Sequence, residues 1–139
     1  MEDRYIYKAK RLDNGEWVEG YLSYPFCTKK GNESYYFYAK DSLGFFCRCV
    51  VDASTICQCT GLKDKNGNLI WENDIVRDEH GNFYKAFWQN NYYQFSWVCV
   101  KTDVFSIGAK WDLWSIKSFE IEVIGNIFDN PELLESEEK

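Results

Sequence analysis

Cys59-Thr60-Gly61-Leu62-Lys63-Asp64-Lys65-Asn66-Gly67-Asn68-Leu69-Ile70-Trp71-Glu72-Asn73-Asp74-Ile75-Val76 is the stretch on which the fold class turns. At its centre an Asn-Gly pair separates two half-apolar arms, the strongest short-range signal of a β-hairpin. Both Asn66 and Gly67 tolerate positive φ, so the pair predicts a type I′ turn whose twist matches its flanking strands. Leu69, Trp71 and Ile75-Val76 can then face a core. The stretch reads as architecture and carries no chemistry of its own. Asp64, Asn66 and Asn68 mimic the first ligands of a calcium loop, but Gly67 stands at loop position four and Ile75 at position twelve, where the motif needs Gly at six and Glu at twelve. Asp64 is instead expected to accept hydrogen bonds from the turn amides.

The pattern continues outward in both directions. Toward the N-terminus, Tyr5 to Lys10 and Trp17 to Leu22 are strand-like arms joined by Leu12-Asp13-Asn14-Gly15, giving an opening hairpin over 4–24 that Pro25 ends. Lys29 to Asn32 is a polar turn, Tyr35 to Ala39 and Phe45 to Val51 pair across Asp41 to Gly44, and Ser54-Thr55-Ile56 is a short turn before the central hairpin, 51–77. Toward the C-terminus, Asp74 to Arg77, Phe83 to Gln89 and Tyr92 to Lys101 form an antiparallel meander over 74–101, with turns at 78–82 and 90–91. Trp111 to Ile116 reads as a loop with one helical turn, and Glu120 to Ile127 as a closing strand. Asn130-Pro131-Glu132 has a helix cap, a first-turn proline and a first-turn acid, so the segment 120–138 ends in a short helix. The expected fold is mainly β: an antiparallel, barrel-like or strongly curled sheet with a short C-terminal helix. No internal repeat is read.

Size and charge narrow the function classes. A chain of 139 residues fits one domain, 1–139. Its formal charge of −6 opposes approach to phosphate backbones and anionic lipid, so neither nucleic acid nor membrane is an expected partner. Met1-Glu2-Asp3-Arg4 lacks an apolar export segment and no run approaches a bilayer span, which predicts a cytoplasmic protein. The six cysteines (27, 47, 49, 57, 59 and 99) are then expected as reduced, buried thiols.

Three constellations could carry chemistry. Cys47-Arg48-Cys49 and Cys57-Gln58-Cys59 each project two thiols to one strand face, and paired strands could gather four around zinc; the Cys-x-Cys spacing is narrower than a structural zinc knuckle, and no metal or cofactor is expected. His80 sits in a polar turn, which favours solvation over a catalytic role. Glu72, Asp74, Asp78 and Glu79 supply carboxylates without any sign of a perturbed pair.

With these residues in place, the chain resembles the YopX-like family of bacteriophage and prophage proteins. Three blocks carry the likeness: Val51 to Ile56 leading into Gln58-Cys59-Thr60-Gly61-Leu62-Lys63-Asp64; Asn66-Gly67 through Glu72-Asn73-Asp74-Ile75-Val76; and Val123-Ile124-Gly125-Asn126-Ile127-Phe128-Asp129-Asn130-Pro131-Glu132-Leu133. One departure is Asn73, where the family pattern is Glu-Gly-Asp; Asn also accepts a left-handed backbone. The resemblance implies a mainly β fold and a phage or prophage origin, and it implies no activity and no catalytic residue.

The ring content, ten Tyr, ten Phe and six Trp, exceeds what alternating core positions absorb. The leading expectation is a non-enzymatic accessory protein that associates with another copy of itself or with a host protein. Trp88, Tyr92, Tyr93 and Trp97 are the candidate exposed anchors, because Trp and Tyr dominate interface energetics. The alternatives are a small-ligand-binding barrel for a metabolite or nucleotide and, more remotely, a hydrolytic enzyme.

Overall fold

The structure, a computed structural model, describes residues 6–22, 26–29, 32–40, 43 and 45–134. The expectations that fall at 4–5, 23–25, 30–31, 41–42, 44 and 135–138 lie outside these residues. The chain divides into two compact units, Met1–Cys59 and Thr60–Lys139, and the boundary falls inside the segment read as one central hairpin.

The first unit contains β1 (Tyr7–Lys10), β2 (Trp17–Leu22), β3 (Phe26–Lys29), β4 (Asn32–Lys40), β5 (Phe46–Val51) and the opening residues of β6 (Cys57–Lys63). Its strand order is β3-β4-β2-β1-β6, with β5 paired to β4. Ala9, Phe37, Cys49 and Val51 form a small buried core with Tyr7, Val18, Tyr35 and Ile56 against it. Around Gly20 the backbones are close: a Cβ there would run into the carbonyl oxygen of Tyr38, so no other residue fits without moving a strand. The Leu12 N–H donates to the Val50 carbonyl at 3.1 Å and the Asp52 N–H to the Lys10 carbonyl at 2.8 Å, turning the sheet back toward its own first strand. Among the described residues this return is a single bridge, Arg11 to Val51, and not a ladder; the expected barrel is not closed.

In the second unit the rest of β6 lies beside β7 (Leu69–Trp71), and the Thr60 hydroxyl donates to the Ile70 carbonyl at 2.7 Å. The main sheet follows: β8 (Asp74–Arg77), β9 (Phe83–Gln89), β10 (Gln94–Lys101), β11 (Lys110–Asp112) and β12 (Glu122–Asn126), in the order β11-β10-β9-β8-β12 with every pairing antiparallel. The expected meander is therefore present, and β12 returns beside β8. Opposite residues in an antiparallel pair share a face, and the pairs Tyr84–Cys99 and Ala86–Trp97 turn theirs inward. With Ile70, Val76 and Ile121 they make the core.

Three local expectations are corrected. In the central turn only Gly67 has positive φ, +84°, while the Gly67 N–H donates to the Asp64 carbonyl at 3.0 Å and the Asp64 N–H to the Asn68 carbonyl at 2.8 Å. That is a type I turn followed by a left-handed glycine bulge, not a type I′ turn. The expected C-terminal helix is one 3₁₀ turn, Pro131–Leu134, too short for a run of α-helical hydrogen bonds. Trp111 to Ile116 opens in a strand, β11, before the 3₁₀ turn Leu113–Ser115. Asn73 does take the left-handed conformation, φ +74°.

Candidate functional site

The hairpin of β9 and β10 is longer than the core it covers. Two pairs beyond Ala86–Trp97, Trp88 faces Phe95 on the same face, their rings in edge contact with centroids 5.1 Å apart. Trp88 is half exposed, and at the tip Tyr92 and Tyr93 are 67 % and 82 % exposed. Tyr93 holds φ +52°, unusual for a bulky side chain and a mark of local strain. Three of the four expected anchors thus lie together at one end of the second unit. Trp97 does not join them: it is 0 % exposed within the core, because its pair partner Ala86 lies over the packed part of the sheet while Trp88 lies past its end.

The opposite face of the hairpin tip is polar. The Ser96 hydroxyl donates to Gln89 Oε1 at 2.9 Å and the Gln94 amide donates to Asp112 Oδ1 at 2.9 Å, tying β9, β10 and β11 together. A shallow hollow of about 440 Å³ between Gln89, Tyr92, Gln94, Lys110, Trp111 and Asp112 opens beside this network.

On the ring-bearing face lies a larger cleft of about 540 Å³, lined by Thr60, Leu62, Gln94, Phe95, Leu113, Ile116, Lys117, Ser118 and Phe119. Leu62, Leu113 and Ile116 pack against the core, so the cleft floor is the outer surface of that packing. Phe119, 65 % exposed, stands at the rim, with the Lys117 ammonium 5.9 Å from its ring centroid.

Two acidic turns of the second unit share one design. In Asp64-Lys65-Asn66-Gly67-Asn68, Asp64 Oδ1 accepts the Asn66 and Asn68 N–H groups, both at 2.9 Å. In Asp78-Glu79-His80-Gly81-Asn82, Asp78 Oδ1 accepts the His80 and Asn82 N–H groups, again at 2.9 Å, and Gly81 has φ +84°. The second oxygen of each aspartate reaches farther: Asp64 Oδ2 accepts the Val123 N–H at 2.9 Å, and Asp78 Oδ2 accepts the Tyr84 hydroxyl at 2.9 Å. Burial pushes both carboxyl pKa values up, but the donors outweigh it and hold both below the usual carboxylate range: the Val123, Asn68 and Asn66 amides at Asp64, and Asn82, Tyr84 and His80 at Asp78. Burial, and then the bond to Asp78, raises the Tyr84 phenol. Carboxylates held ionised as hydrogen-bond acceptors are suited to fixing turns and poorly suited to donating a proton.

The other chemical candidates are dispersed. His80 is exposed, 3.6 Å from Glu79. Asp74 is buried and accepts the Trp71 N–H at 2.8 Å. The four candidate thiols do not converge: β5 pairs with β4 and β6 with β1, Cys47 is exposed, and Cys49, Cys57 and Cys59 are buried. The Cys57 thiol donates to the Thr55 carbonyl at 3.3 Å, and burial raises the Cys49 thiol. Among the described residues no three His, Cys, Asp or Glu side chains gather where they could hold a metal ion. Among them, too, no helix is long and apolar enough to cross a membrane.

The sequence model described as YopX protein matches residues 6–135. The chain belongs to the YopX family. Its fold is similar to that in the crystal structure of protein EF1440 from Enterococcus faecalis, with a TM-score of 0.52, 24% identity, and coverage of 93% of this chain and 96% of that one. No curated protein matches the chain. For this YopX-family chain the residues missed by sequence reasoning are those of the cleft, above all Leu113, Ile116, Lys117, Ser118 and Phe119. Their signal was an apolar, singly basic run outside any strand, which has little reason to be apolar unless it covers a core and leaves some of its own surface uncovered.

Proposed function

We propose that this chain is a non-enzymatic protein-interaction module of phage or prophage origin, acting in the bacterial cytoplasm, whose first partner is a second copy of itself. The observation that carries the reading is the cluster of Trp88, Tyr92 and Tyr93 on a hairpin that outruns its own core. Such rings bring large contact area at small entropic cost, and Trp and Tyr recur at the energetic centres of interfaces. The left-handed backbone at Tyr93, which closes the turn bonded from Tyr92 N–H to the Gln89 carbonyl, fits the same reading, since glycine would close that turn with less strain. Among the described residues Asp64 and Asp78 are engaged as turn-fixing acceptors and the thiols are dispersed, which supports a binding role over a hydrolytic one.

Sedimentation velocity on the wild type and on the double variant Tyr92→Ser, Tyr93→Asn tests this. The wild type is expected to form a dimer at tens of micromolar and the variant to sediment as a monomer; a monomeric wild type overturns the reading.

A further inference from the structure

The cleft beside the hairpin shares Phe95 with the ring cluster but is lined mainly by other elements. Its volume, about 540 Å³, lies within the range of small-molecule pockets and is far above a packing defect. Five of its nine lining side chains are Leu, Ile or Phe, and three of these are backed by the core. Most of its polar capacity is already spent. The Thr60 hydroxyl donates to Ile70 and accepts the Leu62 N–H at 3.2 Å; the Gln94 amide is committed to Asp112 and Ser96. What remains in the lining is the ammonium of Lys117, 5.9 Å from the Phe119 ring centroid, and the hydroxyl of Ser118. Among the described residues Lys117 is the only ionisable group in the lining, and it stands in a chain of net charge −6.

We propose that this cleft binds a small amphiphilic monoanion, an aliphatic or aromatic body ending in one carboxylate, with Lys117 and Ser118 receiving the head group. The chemistry of the lining separates this class from its neighbours. A neutral hydrocarbon would fill the apolar lining and make no use of the exposed ammonium. A cation would meet Lys117 at close range. A nucleotide brings two or more charges on phosphate oxygens, which call for several converging donors or a glycine-rich nest, and the lining offers one cation and no such loop. A single carboxylate matches one ammonium and one hydroxyl, while the apolar body matches Leu62, Phe95, Leu113, Ile116 and Phe119.

The test is competitive. The fluorescent sulfonate 8-anilinonaphthalene-1-sulfonate is bound to the full chain and displaced with decanoate, decanol or decylamine, three ligands with the same tail and different heads. Decanoate is expected to displace it about tenfold better than decanol or decylamine, the worth of one charge-assisted hydrogen bond. Lys117→Gln should erase that preference while leaving decanol unchanged, and Phe119→Ser should weaken all three; both residues are exposed, so neither change threatens folding. Methyl resonances of Leu62, Leu113 and Ile116 should move on adding decanoate to the wild type. Equal displacement by the three heads, an undiminished preference in Lys117→Gln, or methyl shifts confined to the first unit would each overturn the proposal. These outcomes are independent of whether the chain dimerises.

Discussion

Asp64 Oδ2 accepts the backbone N–H of Val123 at 2.9 Å across 59 residues of sequence, while its other oxygen holds the turn in which it sits. One carboxylate therefore fixes both a hairpin and the start of β12. Replacing Asp64 with Ala strands three N–H groups in a region where Asp64 itself is 5 % exposed. The expected cost is about 2–4 kcal/mol, from the loss of charge-assisted hydrogen bonds and the desolvated donors left behind. Urea unfolding measures it; a loss near zero would show that β12 is held by packing alone.

Acid should unfold the protein through the same groups. Asp64 and Asp78 have folded pKa values below the ordinary one, so between the two the unfolded chain binds more protons, and stability rises with pH there. Their contribution is complete above the unfolded value of about 4 and is lost as pH falls through the folded one. Chemical denaturation across pH 2–7 should show this decline, and the double variant Asp64→Asn, Asp78→Asn should flatten it while starting lower at neutral pH.

Gly20 is expected to tolerate nothing. A methyl group at this position meets the Tyr38 carbonyl oxygen, which belongs to the paired strand and cannot rotate away. Gly20→Ala should destabilise by about 1–3 kcal/mol, as overpacking does, and lower the thermal midpoint by several degrees.

Asn73 gives a milder contrast. At φ +74°, Asn73→Ala should cost about 1 kcal/mol, whereas Asn73→Gly should change stability by less. Equal effects of Ala and Gly would locate the importance of this residue in its side chain instead of its backbone.

Tyr93 should behave in the opposite sense. Relieving φ +52° with Tyr93→Gly is expected to stabilise the monomer by about 0.5–1 kcal/mol, read as a raised thermal midpoint, while weakening association in sedimentation. A residue that folding would replace and association would keep is what the proposed role requires.

Strand positions were legible wherever alternation and turn residues agreed: β2, β8 and β9 fall where the pattern places them. β11, three residues long, gives too short a window for a period to register, and it was read as loop. The turn at Asn66-Gly67 was located correctly and typed wrongly, because Asp64 adds a side-chain acceptor that favours a longer loop closed by Gly67 alone. The recurrence Asp-x-x-Gly-Asn at 64–68 and 78–82 stands in the sequence, but only the matching hydrogen bonds of the two loops give it meaning. Parity along β9 and β10 puts Trp88 and Trp97 on one face but cannot say how far the core extends beneath it; only the pairing does, and so Trp97 was misplaced. The cleft was illegible for the same reason, being built from β6, β10 and a segment without period.

Because the β9–β10 ribbon runs on past Ala86 and Trp97, the rings proposed to recognise a partner and the residues that hold the core occupy successive rungs of one ladder. Trimming the ribbon symmetrically below Trp88 and Phe95 would remove the rings and one wall of the cleft together, yet leave every buried rung intact. A foreshortened protein of that kind is expected to keep its fold and lose both proposed contacts.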